Sequence, residues 1–239
     1  MIVRRIIVGF RRLEWGTALI ELLIVAVGIF LGLKVNNWNE GQKEVVEGYV
    51  SLDFLRRQLD DEIVEYEELT AGLAEQNTKI TQIALMLYAD SWTEEEFDFF
   101  KSQHWTVYTV FYGLKKPHAL KQLVEQGKID LVRSIELQEK LFDFDAAYDA
   151  SIGQDKVGDQ IVAEAIDQII LGMQYGTRED LMAIPVSHNE LLEDRELKSA
   201  FRLISIMNGF QLESLNRLHD SSKELRDDLN DYLSDRYHP

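Results

Sequence analysis

An apolar run near the N-terminus constrains this chain more than any other feature of its sequence. Residues 15–35 read WGTALIELLIVAVGIFLGLKV, and twelve of these 21 residues are Leu, Ile, Val or Phe. As an α-helix the run spans about 31 Å, close to the roughly 30 Å hydrocarbon core of a bilayer. Its apolar side chains favour insertion by roughly 4–7 kcal/mol, which exceeds the cost of about 2.5–3.5 kcal/mol for Glu21 inside the core. The run therefore predicts a transmembrane helix.

Charges on either side of the run predict its orientation in the membrane. Four arginines precede it, at positions 4, 5, 11 and 12, whereas the twenty residues that follow contain one basic residue. The positive-inside rule keeps the arginine-rich end in the cytoplasm. We therefore expect a cytoplasmic basic tail at residues 1–14, a transmembrane helix at 15–37 and a periplasmic helical domain at 38–239, anchored in the bacterial inner membrane. Trp15 and Trp38 are the expected interface anchors, because indole rings prefer the headgroup level.

Four residues of the predicted transmembrane helix share one face: Glu21, Val25, Gly28 and Gly32. The two glycines form a small-xxx-small pattern, which lets two membrane helices approach closely. An acidic side chain on such a face is expected to pair, to be protonated or to line a water path. The face thus predicts a homo-oligomer or a contact with another membrane protein. Two plainer interpretations stay open, since glycine is common in membrane helices and Glu21 lies within reach of the arginines of its own chain.

Two kinds of proteolytic processing are the alternatives to an uncleaved anchor. A signal peptide needs a small-x-small cleavage site, which is missing where the run leads into Trp38. Gly16 followed by Glu21 is similar to the start of type IV pilins, in which a glycine ends the leader and a glutamate stands fifth after it. In pilins that glutamate neutralises the new amino terminus of a neighbouring subunit. Thr17 stands where pilins usually carry Phe or Met, so we expect the anchor to be retained.

The remainder of the chain is strongly acidic and carries no recognisable catalytic motif. The chain has 25 basic and 42 acidic residues, and its first forty residues hold five and three of these, which leaves a net charge of −19 from Gly41 onward. Such a surface repels nucleic acid, so we expect no nucleic-acid partner. Cysteine is absent, which excludes disulfides and thiol chemistry. Because phosphate loops, nucleophile elbows and His-Glu-x-x-His helices are all missing, we predict no catalytic residue, cofactor or metal site, and no enzyme.

Titratable residues elsewhere in the chain have a structural interpretation. The five histidines lack the i, i+4 spacing of a metal pair on a helix, and we interpret them as surface or capping residues. Acidic residues recur in rows that are typical of solvated helix faces. These rows comprise Asp60, Asp61, Glu62, Glu65, Asp227, Asp228, Asp231 and Asp235.

Two apolar stripes predict long helices at the two ends of the acidic region. Between residues 43 and 89 every third or fourth position is apolar, apart from Thr70 and Asn77. A polar residue in such a stripe can fix the register of a coiled coil, and a locally solvated face is the other interpretation of Asn77. A second stripe of the same spacing covers residues 194–235. We predict an all-α fold in which these two long helices are antiparallel and shorter helices lie between them.

Local signals predict where the intervening helices begin and end. Gly127 is a left-handed cap candidate for a helix over residues 118–126. Either of two overlapping capping boxes opens a short helix toward Lys101, and a third box opens a later one. The three boxes are Ser91 with Glu94, Thr93 with Glu96, and Ser187 with Glu190.

The middle of the chain is harder to divide. Ser134 is an N-cap candidate for a helix that we expect to end at about Ala150, and a separate apolar stripe at 161–173 is expected to end at Gly176. Residues 105–112 are rich in aromatic and β-branched side chains. Because no partner strand is recognisable in the sequence, we interpret this segment as a buried aromatic helix or an extended packing segment.

Residues 21–40, ELLIVAVGIFLGLKVNNWNE, resemble the membrane segment of an uncharacterised bacterial family of single-pass membrane proteins. Members of that family carry an acidic residue, an apolar run containing glycine, and an ending close to N-N-W-N-E just outside the helix. The resemblance continues at residues 49–62 and 120–141, where Glu125 and Gln126 replace the usual small residue before Gly127. It implies a single-pass membrane protein and supplies no catalytic residues.

These features lead us to expect a membrane-anchored binding or scaffolding protein that presents an acidic periplasmic domain and assembles through its transmembrane helix. The expected partners are the lipid bilayer and a second copy or another membrane protein. One alternative is an auxiliary subunit of an ion-driven or energy-transducing complex that uses Glu21, although such subunits typically carry Asp. Another alternative is a pilin-like subunit processed after Gly16.

Overall fold

The computed structural model describes residues 15–108, 115–173 and 187–234. Every regular element in these ranges is a helix, so the predicted all-α fold is confirmed. The α-helices are α1 (Trp15–Met86), α2 (Glu94–Gln103), α3 (His118–Val124), α4 (Ile135–Gly172), α5 (His188–Glu193) and α6 (Arg195–Ser234). Short 3-10 helices cover His104–Tyr108 and Lys128–Leu131. The chain divides into two compact units after Val50.

The two long helices at the ends of the second unit are antiparallel, as predicted. Asp60 near the start of this part of α1 lies 3.8 Å from Arg226 near the end of α6. Further along α1, the hydroxyl of Thr81 lies 2.6 Å from that of Ser205 in the first part of α6. Partners on α6 therefore move toward its N-terminus as the chain advances along α1.

Between these two helices the structure contains a third long helix, α4, where we expected two separate segments. The expected helix end at Ala150 is wrong, because α4 continues through Gly153 and Gly158 to Gly172. Each glycine weakens a helix by about 1 kcal/mol, and burial of apolar side chains on both sides outweighs that cost. Lys140 Nζ lies 2.6 Å from the Asp228 carboxylate, and an added Cβ at Gly172 would lie 3.4 Å from Leu197. These contacts at opposite ends show that α4 is antiparallel to α6.

Most of the predicted helix boundaries are observed. The Thr93–Glu96 capping box opens α2, in preference to the overlapping Ser91 pair, and the Ser187–Glu190 box opens α5. The hydroxyl of Ser134 accepts a hydrogen bond from the Leu137 backbone at the start of α4. Gly127 follows α3 with a φ of 71°, the left-handed conformation expected of it.

The segment around Trp105 forms a 3-10 helix in its first part. Val107 is buried in it, whereas the indole of Trp105 is partly exposed, so the predicted buried aromatic segment is correct for only some of its residues. Residues 109–112 of this segment lie outside the described residues, as do the basic tail, Gly176 and Asp235.

The core of the second unit consists of two apolar clusters with a polar layer between them. One cluster lies around Leu59 and Leu218, and the other lies around Ile83 and Phe201. On the three long helices the buried side chains between these clusters are polar. They are Gln76, Ser151, Asn208 and Ser214.

Candidate functional site

The apolar segment of α1 is exposed along its whole described length. It is the one helix among the described residues that is long and apolar enough to cross a membrane, and its most apolar window has no buried surface. Its large apolar side chains, from Leu19 to Val35, are between 46% (Val27) and 69% (Leu22) exposed. By its length and apolar composition this part of α1 could therefore cross a membrane.

The four predicted face residues come together on one side of this helix. At about 100° per residue, Glu21, Val25, Gly28 and Gly32 lie within roughly 60° of arc. Glu21 and Val25 are exposed, and a Cβ added at either glycine would meet no atom within 4 Å. The backbone at the glycines is thus open to close approach by a second helix.

The two predicted interface anchors flank this segment. The indole of Trp38 is largely exposed. Trp15 is the first residue of α1, and its side chain lies outside the described part of the structure. Residues 16–37 separate the two tryptophans, and these 22 residues span roughly 33–35 Å along the helix axis. This length is close to the thickness of the hydrocarbon core, so the two indoles can lie at its two surfaces.

A buried polar cluster in the second unit was not predicted from the sequence. The hydroxyl groups of Tyr66 on α1 and Tyr148 on α4 lie 2.6 Å apart, and Tyr148 donates a hydrogen bond to the Lys115 carbonyl at 2.8 Å. Glu62 lies one turn before Tyr66 on the same face of α1. Burial, followed by repulsion from Glu65, raises the pKa of the Glu62 carboxyl to about 8, and a hydrogen bond with Tyr66 opposes this rise. The prediction that Glu62 lies on a solvated face is therefore wrong.

Lys116 forms the charged half of this region. Its side chain is 2% exposed, and its Nζ lies 2.7 Å from Asp149, 2.9 Å from Asp145 and 3.4 Å from Glu125. Burial alone lowers the pKa of the ammonium group, but hydrogen bonds to Asp149 and Asp145 outweigh it and raise the pKa above its usual value. The lysine therefore stays charged, and its ion pairs fasten the segment before α3 to α4.

The contacts of these clusters join α3 and the segment before it to the long helices α1 and α4. Gln58 on α1 accepts a hydrogen bond from the Ala119 backbone at 2.8 Å. The start of α3 therefore contacts α1 through Gln58, and the segment before it contacts α4 through the ion pairs of Lys116. Among the histidines with described contacts, His104 lies 2.9 Å from a backbone carbonyl and His219 lies 3.3 Å from the Glu67 carboxylate. Within the described ranges no group of three or more His, Asp or Glu side chains is arranged to hold a metal ion.

Comparisons with known proteins give no relative from which a function could be inferred. No family model matches the chain, and neither a curated protein nor a solved structure matches it significantly. The resemblance of residues 21–40 to a bacterial membrane segment accordingly stays a prediction. The surface that best defines a function is the exposed apolar face of α1.

Proposed function

We propose that this chain is a membrane-anchored binding or scaffolding protein whose N-terminal helix both holds it in a bilayer and contacts a second helix there. The observation that carries the proposal is the uncovered apolar surface between Leu19 and Val35. Each large apolar side chain favours leaving water by about 1.5–3 kcal/mol, so a dozen of them together make an exposed state in water strongly unfavourable.

The residues on one face of this helix support a contact with protein in addition to lipid. A carboxylate costs about 2.5–3.5 kcal/mol in the centre of a bilayer, and a polar group on a neighbouring helix offsets part of this cost. Glu21 shares its face with Gly28 and Gly32, where the backbone is accessible. A second copy of the same helix presents the same small residues, so a homo-oligomer is the simplest arrangement.

The acidic bundle then serves as the presented domain. Four arginines before the helix and a net charge of −19 from Gly41 onward support a cytoplasmic N-terminus and a periplasmic bundle. A surface of this charge repels nucleic acid and favours protein partners with basic patches.

Cysteine crosslinking in membranes tests the helix contact directly, because the natural chain has no cysteine. A Val25→Cys variant places one thiol on the predicted face, and a Leu23→Cys variant places one on the opposite side. We expect oxidation to give disulfide-linked dimers of the Val25→Cys chain and few of the Leu23→Cys chain. Adding Gly28→Leu and Gly32→Leu to Val25→Cys should abolish the dimer, whereas adding Ala26→Leu, off the face, should leave it.

Equal crosslinking from both cysteine positions, or dimers that persist with both leucines, would contradict a specific helix contact. A Glu21→Gln substitution separates the ion-coupled alternative. In a scaffolding protein this change alters the amount of crosslinked dimer and of captured neighbours. In an ion-coupled subunit it abolishes proton or sodium flux through the host complex while the complex stays assembled.

A further inference from the structure

A groove opens between α4 and α6 at the level of the polar layer in the core. Its volume is about 760 Å³, within the range of small-molecule sites. Val157 and Ile161 on α4 and Met207 and Phe210 on α6 supply much of its apolar lining. The groove lies where the two apolar clusters of the core are interrupted, and the described buried residues of α4 and α6 at this level are the polar Ser151, Asn208 and Ser214.

Glycines on α4 keep this groove open. Gly153 and Gly158 both line it, and a Cβ added at either position would meet no atom within 4 Å. Both residues lie inside a continuous helix, where glycine is intrinsically unfavourable. Their presence lowers helix stability and at the same time leaves room between α4 and α6.

Two buried polar groups at the groove have no hydrogen-bond partner among the described residues. Asn208 and Ser214 are among the residues that line the groove, and they are 6% and 2% exposed. The unpartnered atoms are Nδ2 of Asn208 and the hydroxyl oxygen of Ser214, both of which are buried. A buried amide N–H or hydroxyl without a partner is unfavourable, and native structures satisfy most such groups. Acceptor oxygens supplied to these two residues by a molecule in the groove would remove this cost.

We propose that the groove binds a neutral, elongated amphiphile whose carbonyl or hydroxyl oxygen accepts hydrogen bonds from Asn208 and Ser214 while its hydrocarbon part lies along Val157 and Phe210. The charges at the rim favour a neutral ligand over an anionic one. Asp155, Asp159 and Glu213 contribute to the lining. Among the described lining residues Arg217 is the one that is basic, and it lies 2.9 Å from the Glu213 carboxylate.

The dimensions of the groove favour a small molecule over a partner helix. Its lining covers residues 150–162 of α4, which is about 18 Å of helix, and residues 207–217 of α6, about 15 Å. This length accommodates an alkyl chain. A helix docked in a groove usually places apolar anchors over more than two turns. Its own backbone acceptors are already hydrogen-bonded within the helix, so they would not pair with the amide of Asn208.

Photolabelling of the full-length protein in membranes tests this proposal. The probe is a long-chain primary alkyl amide with a diazirine in its chain, and its matched carboxylate serves for comparison. We expect illumination to give amide-probe adducts on peptides covering residues 150–162 and 207–217, with about tenfold fewer adducts from the carboxylate. Adducts on residues 19–35, which lie in lipid in every variant according to the proposed function, give an internal measure of probe concentration.

Gly158→Leu fills the groove, and Gly209→Leu is its matched control on α6, because Gly209 also has open space around it and does not line the groove. We expect Gly158→Leu to reduce the groove adducts about tenfold and Gly209→Leu to leave them unchanged. Asn208→Leu should reduce labelling by the amide probe more than labelling by an alkane probe with the same diazirine.

Three results would overturn the proposal. They are groove adducts that are equally frequent in Gly158→Leu and the natural chain, labelling by the carboxylate that equals labelling by the amide, and adducts that are confined to residues 19–35. A loss of oligomer mass in Gly158→Leu, with no groove adducts in the natural chain, would assign the groove to a second copy instead.

Discussion

The first and second units use the same apolar residue types and expose them to opposite degrees. Leu22 in the first unit is 69% exposed, whereas Leu59 in the second is fully buried. Both leucines lie in α1, so helix formation itself does not distinguish them. The difference lies in the packing of each part of the helix. The second part shares its apolar clusters with α4 and α6, whereas the most apolar window of the first part has no buried surface.

The arrangement of polar residues explains this difference. In the second unit apolar residues recur every three or four positions, and charged residues occupy the remaining faces, so one stripe is buried and the rest is solvated. Residues 19–35 are apolar around the whole helix, apart from Glu21 and Lys34. A helix that is apolar on all sides needs an apolar environment on all sides, which a bilayer provides.

The largest expected effect comes from placing charge in the exposed apolar segment. Leu23→Arg with Val27→Arg puts two charges near the middle of the run, on the side away from Glu21. At about 2.5–3.5 kcal/mol each, they cancel the roughly 4–7 kcal/mol that favours insertion. We expect the double variant to move from the membrane fraction to the soluble or aggregated fraction, as measured by alkaline carbonate extraction.

The matched control is Leu23→Ala with Val27→Ala, which shortens the same side chains without adding charge. This variant should stay in the membrane fraction. If the double arginine variant also stays there, the run does not span the bilayer, and the contrast between the two units has another cause.

A smaller effect, confined to the second unit, is expected from Phe201→Ala. Phe201 is fully buried and its ring centroid lies 6.0 Å from that of Phe100, so truncation should cost about 3–5 kcal/mol of unfolding free energy. Phe210→Ala on the same helix is the control, since that ring is 60% exposed and its loss should change stability by less than about 0.5 kcal/mol. Chemical denaturation of the detergent-solubilised chain, followed by circular dichroism, measures both, and equal effects would contradict the described core.

Features that depend on a few neighbouring residues were predictable from the sequence. The Thr93 and Ser187 capping boxes each involve residues three positions apart, and the left-handed Gly127 follows from the absence of a side chain. The shared face of Glu21 and Gly28 depends only on helical geometry. The apolar stripes at both ends of the acidic region likewise predicted two long helices, because the spacing of each stripe depends only on helical geometry.

Features that depend on distant residues were not predictable. The continuity of α4 through Gly153 and Gly158 comes from packing on either side of them, which local helix propensity does not contain. Glu62 was interpreted as solvated because it belongs to a row of acidic residues. Its half-buried position brings it close enough to Tyr148, far away in the sequence, for its charge to raise the pKa of that hydroxyl. The groove lies between α4 and α6, and the position of one helix relative to the other is not defined by the stripe of either.

The half-buried carboxyl of Glu62 gives an effect that depends on pH and tests the bundle without changing its shape. Because burial, and then Glu65, raise the pKa of Glu62 from 4.5 to about 8, the folded chain holds a proton that the unfolded chain releases between these pH values. Stability should therefore be highest below about pH 4.5 as far as this group is concerned, and should fall with rising pH up to about 8, by at most about 1.4 kcal/mol per pH unit. Glu62→Gln should remove this slope and make the chain more stable than the natural one at pH 8, with little difference at pH 5.

Glu68→Gln, at an exposed position on the same helix, is the control and should keep the slope. If the pH dependence of stability is unchanged in Glu62→Gln, this carboxyl is as well solvated in the folded chain as in the unfolded one. Glu62 would then belong to the acidic surface of the bundle and not to its interior.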